Sequence, residues 1–500
     1  MRFYLTIDIG TTNWKALLFD EKGYAVCTQK CATAMFTAQD GLGYYDPAQI
    51  WSSVCALIKA ILAQHGAHTI SAVCVTSMGE SVVPVDKNGE CLSPIIPWFD
   101  TRSTAEAGDI IQTIGKERIF NITGTDAGPI FSLPKMLWMR NTQPQLFSRA
   151  VKWLQMADFI NFKLCGNIAT DYSMASRTLA FDIIQNQWSA EMLKPFGLTA
   201  DLFPTIVPAG SIIGTLTNAA SLQTGLPQGL PIVMGGHDHP VASLAGNVFG
   251  NGAVFNSSGT AEPYLYISDL DAPFPEKRLG QRLTRHPHPR RLITWGGIVA
   301  SGVTVDWAAK LLAPDYAGSY DDLFGLSASL SPGSHGLLFH PHLRGSGAPW
   351  WDAKYRGAFL GLTSAHTQQH MLRAVLEGLC FQARIILDMH EALINEPISL
   401  IRCMGGGSRI SLWQAIKSTV TNCVVETNPT IEATPLGAAM LAAVGVGQYA
   451  SIEESAAALA PPLTAYCPDP SMQESYQKLT AIYRESYDAL KQINYQLAQG

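Results

Sequence analysis

Phe3-Tyr4-Leu5-Thr6-Ile7-Asp8-Ile9-Gly10-Thr11-Thr12-Asn13-Trp14-Lys15-Ala16-Leu17-Leu18-Phe19 is the stretch on which the reading of this chain turns. Phe3, Leu5, Ile7 and Ile9 alternate with the period of a strand, and Ala16-Leu17-Leu18-Phe19 reads as a second, short strand. Between them lies a small polar turn. Glycine lets the backbone turn tightly and present successive N–H groups as an anion-binding concavity. The hydroxyls of Thr11 and Thr12 add donors for phosphate oxygens, and Lys15 reaches the same oxygens as a point charge. Asp8, at the end of a buried strand, is placed to hold Mg²⁺ through water, since that ion keeps part of its shell. An ordinary hairpin with threonines in its turn fits the same residues, and the segment alone does not choose between the two.

Working outward, strand and helix signals alternate along the whole chain, which predicts an α/β architecture. Asp46-Pro47 reads as an N-cap followed by proline at the first helical position, and Ile50, Trp51, Val54, Leu57, Ile58, Ile61 and Leu62 keep helical spacing behind it. Val73-Cys74-Val75-Thr76 looks like a buried strand that opens into Ser77-Met78-Gly79-Glu80. The second half repeats the pattern: Ala253-Val254-Phe255 leads into Asn256-Ser257-Ser258-Gly259-Thr260, and the strand Tyr264–Ile267 follows. A long helix is expected from about Thr367 to His390, another capped by Thr434-Pro435, and an amphipathic one from Met472 to Leu497. The echo predicts two related domains, 1–247 and 248–500, joined near residues 245–252.

Length supports that division, because 500 residues exceed what one core accommodates. With 47% apolar and 15% charged residues, the chain has ample material for buried cores and is too apolar for disorder. The 34 Lys and Arg stand against 40 Asp and Glu, a formal charge of -6, which argues against nucleic acid as the main partner. Arg282, Arg285, Arg290 and Arg291, with His286 and His288, are expected to form a solvated loop broken by Pro287 and Pro289. The ten cysteines form no CxxC pair and several sit in apolar runs, as free thiols of a reducing compartment do. The N-terminus enters a strand without a signal-peptide layout, and no apolar run nears the ~20 residues of a membrane span. A cytoplasmic protein with no membrane partner is the expectation.

Gly235-Gly236-His237-Asp238-His239 follows the apolar strand Ile232-Val233-Met234. A carboxylate there sits where open α/β sheets place ligands. In phosphoryl transfer Asp238 would orient an acceptor hydroxyl and take its proton. A zinc site on His237, Asp238 and His239 is disfavoured, because successive residues of an extended chain point to opposite faces and no third ligand is in sequence reach. Ser257-Ser258-Gly259-Thr260 reads as a second phosphate turn or simply a polar one. Met404-Gly405-Gly406-Gly407-Ser408, at a strand-to-helix junction, permits close approach of a nucleotide or serves as a tight connection. No GxxxxGK[ST] and no GxSxG occur, and His390-Glu391 lacks the following histidine of a zinc protease.

In this order, over nearly the whole chain, the segments resemble the FGGY carbohydrate kinases. Gly357-Ala358-Phe359-Leu360-Gly361-Leu362, then His370-Met371-Leu372-Arg373-Ala374-Val375-Leu376-Glu377-Gly378 after seven residues, is similar to the family's C-terminal signature. Glu432-Ala433-Thr434-Pro435-Leu436-Gly437-Ala438-Ala439 resembles its adenine-side helix start. Asp171-Tyr172-Ser173-Met174-Ala175-Ser176-Arg177-Thr178, Trp98-Phe99-Asp100-Thr101-Arg102 and the Lys135-x-x-Trp138 core match N-terminal segments. The resemblance implies two ribonuclease-H-like domains of the actin-like ATPase fold flanking a catalytic cleft, with ATP and Mg²⁺ as cofactors, a small sugar or polyol as acceptor, and a homodimer.

Position by position it implies Asp238 as catalytic base and Asp8 and Asp238 at the metal. Thr11, Thr12, Lys15, Gly259, Thr260, Gly302, Gly405, Gly406, Gly407 and Ser408 would face the nucleotide. Gly79, Glu80, Trp98, Asp100, Asp238 and His239 would face the acceptor. Departures at Ile130, at Asn13-Trp14 and at His239-Pro240 bear on the substrate rather than the reaction. An ATPase switch of the same superfold would lack an acceptor pocket, and the Met78-Gly79-Glu80 and Trp98-Phe99-Asp100 segments speak against it. A catalytically dead sugar-binding regulator is the third class, and retention of both Asp8 and Asp238 speaks against it.

Overall fold

Strand β1 (Phe3–Ile9) is covered on both faces, with Tyr4, Leu5, Ile7 and Ile9 fully enclosed and Thr6 alongside them. It runs antiparallel to β2 (Asn13–Asp20), which pairs with β3 (Ala25–Ala32), and parallel to β4 (Ile70–Ser77). With β5 (Ile212–Thr215) and β6 (Pro231–His237) the sheet has the order β5-β6-β4-β1-β2-β3, in which β1, β4 and β6 are parallel neighbours. A strand buried on both faces belongs at the centre of such a sheet. The second strand begins at Asn13, ahead of the expected Ala16, so the turn closes tightly and Gly10 N donates to Asn13 O at 3.1 Å.

The computed structural model describes residues 2–38, 41–66, 70–250, 252–270, 278–428 and 432–498. Asn251, inside the expected join, lies outside them. Two compact units emerge from the chain's own contacts: Met1–Asn247 with Leu283–Ile293 and Ala433–Ala460, and Val248–Arg282 with Thr294–Glu432 and Pro461–Gly500.

In the first unit the helix Pro47–His65 buries Ile50, Trp51, Val54, Leu57, Ile58 and Ile61 against the sheet. At about 1.5–3 kcal/mol for each large side chain enclosed, this face outweighs the helix's own propensity terms. Asp46 caps it, accepting from Ala48 N and Gln49 N. The helix Ala433–Gly445 also belongs to this unit. It starts one residue before Thr434, which therefore is not its cap; the Thr434 hydroxyl donates instead to the Asp238 carbonyl at 3.4 Å. A Cβ on Gly437 would overlap the carbonyl of Val241, so glycine there lets this helix lie directly on the helix Asp238–Ala245.

The arginine and histidine cluster near 285 is no solvated loop. Arg282–Arg285 and Arg291–Ile298 are strands, and the prolines are confined to the turn between them. Arg285 and His286 are fully enclosed. Arg285 N donates to Ser176 Oγ at 3.1 Å, and its guanidinium lies over the Tyr172 ring. His286 Nδ1 accepts from His288 N, which leaves Nε2 carrying its proton toward Ser243 Oγ at 3.1 Å.

The second sheet has the same local pattern. In chain order its strands are β7 (Ala253–Ser257), β8 (Glu262–Asp269), β9 (Arg282–Arg285), β10 (Arg291–Ile298), β11 (Leu400–Met404), β12 (Val424–Thr427) and β13 (Thr464–Tyr466). They lie in the order β9-β10-β8-β7-β11-β12-β13. Strand β7 is antiparallel to β8 and parallel to β11, as β1 is to β2 and β4. The long helix runs Gln368–Ile394 with Thr367 as N-cap, four residues past the expected His390. Its Arg373 and Glu377 form a buried pair at 2.9 Å, both bonded to the Tyr476 hydroxyl. A Cβ on Gly378 would overlap the Phe339 carbonyl, so the signature segment is a packing device.

All ten cysteines are free, seven of them buried, with only Cys467 exposed. Among the described residues no helix is long and apolar enough to cross a membrane.

Candidate active site

The parallel trio β1-β4-β6 sets out the first unit's candidate residues in rows. Asp8 stands opposite Thr76, and Thr76 opposite Gly236. Thr76 Oγ1 donates to Asp8 Oδ1 at 3.3 Å. Asp8 also faces Lys15 across the β1–β2 hairpin. Asp238 follows one residue after β6 ends, so Asp8 and Asp238 share the C-terminal edge of the trio, two strand spacings or about 10 Å apart along the sheet. Asp8 is nearly enclosed at 8% exposure, while the Asp238 side chain keeps 23%.

Asp238 occupies the first position of the helix Asp238–Ala245, where the helix dipole favours a negative charge. Its Oδ1 accepts from His239 N at 2.6 Å and lies 3.2 Å from His237 Nε2. Burial holds the His237 imidazole down to about 4, against the opposing pull of Asp238, so at neutral pH it is uncharged. The glycines before it are there for close approach. A Cβ on Gly235 would overlap the Val75 carbonyl, and one on Gly236 would lie 2.6 Å from Ser173 Oγ and 2.9 Å from Asp171 Oδ2. Ser173 Oγ in turn accepts from His237 N at 2.9 Å. The segment Asp171–Thr178 thus supports the strand that delivers Asp238.

Thr11 and Thr12 are exposed on their turn. Thr11 Oγ1 accepts from Trp98 Nε1 at 3.1 Å and lies 3.9 Å from Met78 Sδ, so the polar turn touches both expected acceptor segments. Glu80 sits in the left-handed region at φ 62 and is 5% exposed. Its Oε1 takes Arg177 Nε at 2.7 Å, and the terminal nitrogen of Arg177 closes on the same oxygen. A Cβ on Gly79 would meet Arg177 Cγ at 2.8 Å, which is why glycine precedes the glutamate. Asp100 is taken by Arg102 in a fork, Nε to Oδ1 at 2.8 Å and a terminal nitrogen to Oδ2 at 2.7 Å. Burial would push its carboxyl up, but the Arg102 hydrogen bonds outweigh that and hold it below the usual carboxylate range. His239 offers a ring set edge-on to His237 at 5.9 Å.

The second unit gathers its candidates around one turn. Gly302 N donates to Gly259 O at 3.0 Å, Ser258 N to Met404 O at 2.7 Å, and Gly407 N to Ser258 O at 2.9 Å. Gly405 has φ 104, and a Cβ there would lie 2.6 Å from Ser258 O. Ser408 Oγ donates back to Gly405 O at 2.7 Å, closing the loop on itself. Thr260 is exposed, and a Cβ on Gly406 would meet open space. So Gly259, Gly302, Gly405 and Gly407 converge around a backbone surface that side chains would block.

Three buried cationic side chains, two in the first unit and one in the second, escaped the sequence reading. Arg177 was noted only as part of a matching segment, and Lys135 only as part of a motif core. Lys135 is fully enclosed, donating to the carbonyls of Ile130 at 2.7 Å, Glu80 at 3.1 Å and Trp98 at 3.4 Å, and burial draws its ammonium down to about 7. Lys417 lies under the second unit's loops, with Glu262 Oε1 at 2.6 Å and Asn256 Oδ1 at 2.9 Å, while Glu262 Oε2 accepts from Ser301 Oγ at 2.7 Å. Asn256, Glu262 and Ser301 each flank one of the converging turns. Losing one partner of so enclosed a pair typically costs about 3–5 kcal/mol. The signal was in the sequence, a lysine within the buried stripe Trp413, Ile416, Val420.

Asp8 and Asp238 suit Mg²⁺, an ion that binds through one or two carboxylates, water and substrate phosphates rather than an all-protein cage. Among the described residues no group of three or more His, Cys, Asp or Glu gathers to hold a metal on its own.

A hairpin with a polar turn in each unit, convergent glycines in one and a carboxylate at a sheet edge in the other suit phosphoryl transfer by a protein of the two-domain α/β type. Residues 3–245 match the N-terminal domain of the FGGY family of carbohydrate kinases, and residues 254–446 match its C-terminal domain. The chain belongs to this family, whose members are kinases with an alcohol group as acceptor and ATP as donor. It is 31% identical to the L-fuculokinase of Escherichia coli (strain K12), over 91% of this chain and 94% of that one. It is 28% identical to the gluconokinase of Bacillus subtilis (strain 168), over 90% and 89%. Among solved structures it resembles the ligand-bound xylulose kinase of Lactobacillus acidophilus, with a TM-score of 0.90, 25% identity, and coverage of 98% and 99%.

Proposed function

We propose that this kinase transfers the γ-phosphoryl group of ATP to a hydroxyl of a small sugar or polyol, such as the ketopentose xylulose or a related ketose, with Asp238 as base. The single observation that carries the reading is the position of Asp238. It directly follows β6 on the same sheet edge as Asp8, keeps part of its carboxylate accessible, and is backed by Ser173 and Asp171 through His237. Its other carboxylate oxygen would accept the proton of the acceptor hydroxyl as the hydroxyl oxygen attacks the γ-phosphorus, and the bond from phosphorus to the bridging oxygen of ADP would break.

Gly79, Glu80, Trp98, Asp100 and His239 would position the acceptor. Thr11, Thr12 and Lys15, with the turn at Gly259 and Thr260, would bind the phosphates. Gly302 and the loop Gly405-Gly406-Gly407-Ser408 would take the rest of the nucleotide. Mg²⁺, held by Asp8 and Asp238, would supply neutralisation of the phosphate charge. The first unit would thus carry acceptor and base, and the second the nucleotide. A cytoplasmic site of action agrees with a substrate pair of this kind.

ADP release should be measured across a panel of ketoses, polyols and sugar acids. Stimulation by one acceptor class, with matching sugar phosphate formed, is the expected result. ATP hydrolysis that no acceptor stimulates would overturn the reading in favour of an ATPase switch.

A further inference from the structure

We propose, on the basis of the sugar-kinase reading above, that the acceptor is an uncharged sugar or polyol and that the Glu80–Arg177 pair excludes sugar acids. The relatives leave this open, since their names include a gluconokinase beside xylulose kinases and a fuculokinase. The charge pattern of the acceptor segments does not.

Arg177 is the cation nearest to Gly79 and Glu80, and its side chain and that of Glu80 are 5% and 6% exposed. The guanidinium is engaged with Glu80 Oε1 through two nitrogens, its stem packs against Gly79, and its face lies over the Phe131 ring at 5.1 Å. Arg102 is engaged just as fully by Asp100. Lys135 directs its ammonium to three main-chain carbonyls. Each cation that these segments supply therefore already faces a carboxylate or carbonyl oxygens, while Asp238 adds a further acid with an accessible side chain.

A carboxylate on the incoming sugar would find each of these cations already paired, and would lie near the Asp238 carboxylate with no counter-ion of its own. Like charges a few ångströms apart near a protein surface repel strongly enough to lower affinity by two orders of magnitude or more, roughly. Hydroxyl groups meet no such penalty. They donate to the remaining lone pairs of Glu80 and accept from neighbouring N–H groups. Glu80 is thus a specificity-determining residue that works by sign of charge as well as by hydrogen bonding.

The test is steady-state kinetics of the wild-type enzyme with D-gluconate and with the best neutral acceptor of the panel, followed by Glu80→Gln. The wild type should prefer the neutral acceptor in kcat/KM by about a hundredfold or more. Glu80→Gln keeps the shape of the side chain and leaves Arg177 uncompensated. It should lower the KM for gluconate and raise that for the neutral acceptor, narrowing the ratio at least about tenfold. A wild type that takes gluconate within tenfold of the neutral acceptor overturns the proposal, as does a variant that loses both activities in equal proportion. Should the variant not fold, binding of gluconate and of the neutral acceptor to the wild type, followed by tryptophan fluorescence, decides it: equal affinity overturns the proposal. Absence of phosphorylation with every acceptor would instead remove the sugar-kinase reading on which it rests.

Discussion

The amide of Gly302 donates to the carbonyl of Gly259 at 3.0 Å, and this bond ties the start of the helix Ser301–Leu312 to the turn of the β7–β8 hairpin. A Cβ on Gly302 would overlap that carbonyl oxygen, so the contact exists only because residue 302 has no side chain. Two loops expected to face the nucleotide are thereby held as one surface.

Gly302→Ala should therefore displace the Gly259–Thr260 turn. We expect the KM for ATP to rise about tenfold or more, with the KM for the acceptor within about twofold of wild type, because the strain is local to the second unit. Equal changes in both constants, measured with the acceptor identified by the panel, would detach Gly302 from the nucleotide.

Asp238→Asn removes the base while preserving the shape of the residue and its bond from His239 N. Turnover should fall by about 10²–10⁴, the usual contribution of general-base catalysis, while ATP binding measured by calorimetry is retained. Near-normal phosphorylation by the variant would sink the assignment.

Lys135→Met should act on the acceptor alone. The lysine joins the carbonyls of Glu80, Trp98 and Ile130, and each lost bond to a charged donor is worth about 1.5–3 kcal/mol. Acceptor KM is expected to rise about tenfold or more, and ATP KM to stay constant. If the two constants move together, the lysine supports the fold rather than the acceptor loops.

Asp158 predicts a pH dependence of stability. Burial pushes its carboxyl from the ordinary 3.8 to about 8, offset only in part by the bond that its Oδ2 accepts from Gln155 N at 3.1 Å. Between those limits the folded chain holds a proton that the unfolded chain has released, so stability should fall as pH rises through that window. Asp158→Asn cannot titrate, and its urea midpoint should vary less between about pH 5 and pH 8 than that of wild type. An unchanged slope would show that the carboxyl is already ionised in the fold.

Much of this was legible before the structure. The alternation in Phe3–Ile9 and the cap at Asp46 named elements correctly because a strand's period and a helix's first turn are local facts. The order of Asp8, the Gly235–Asp238 segment, Gly259 and the Gly405–Gly407 loop was equally plain, and it matched a whole family. Local signals also misled. Pro287 and Pro289 suggested a solvated loop, yet they only shape a tight turn between two strands, and Arg285 and His286 are enclosed. Thr434 looked like a cap and is instead a donor to Asp238 O.

The amino-acid sequence by itself determined the class of fold and the family, and it supplied the segments proposed for phosphoryl transfer, because each rests on residues adjacent in the chain. Only the tertiary structure decided which charges remain for a substrate. Glu80 and Arg177 lie 97 residues apart in sequence, and Glu262 and Lys417 lie 155 apart. No spacing rule links them. They meet because sheets and helices bring distant segments together, and once enclosed each ion must find its counter-ion or be costly to bury. What Asp8-Ile9-Gly10-Thr11-Thr12 promises in the sequence is a place for phosphate; what the pairing of Glu80 with Arg177 adds is the ground for proposing a neutral acceptor.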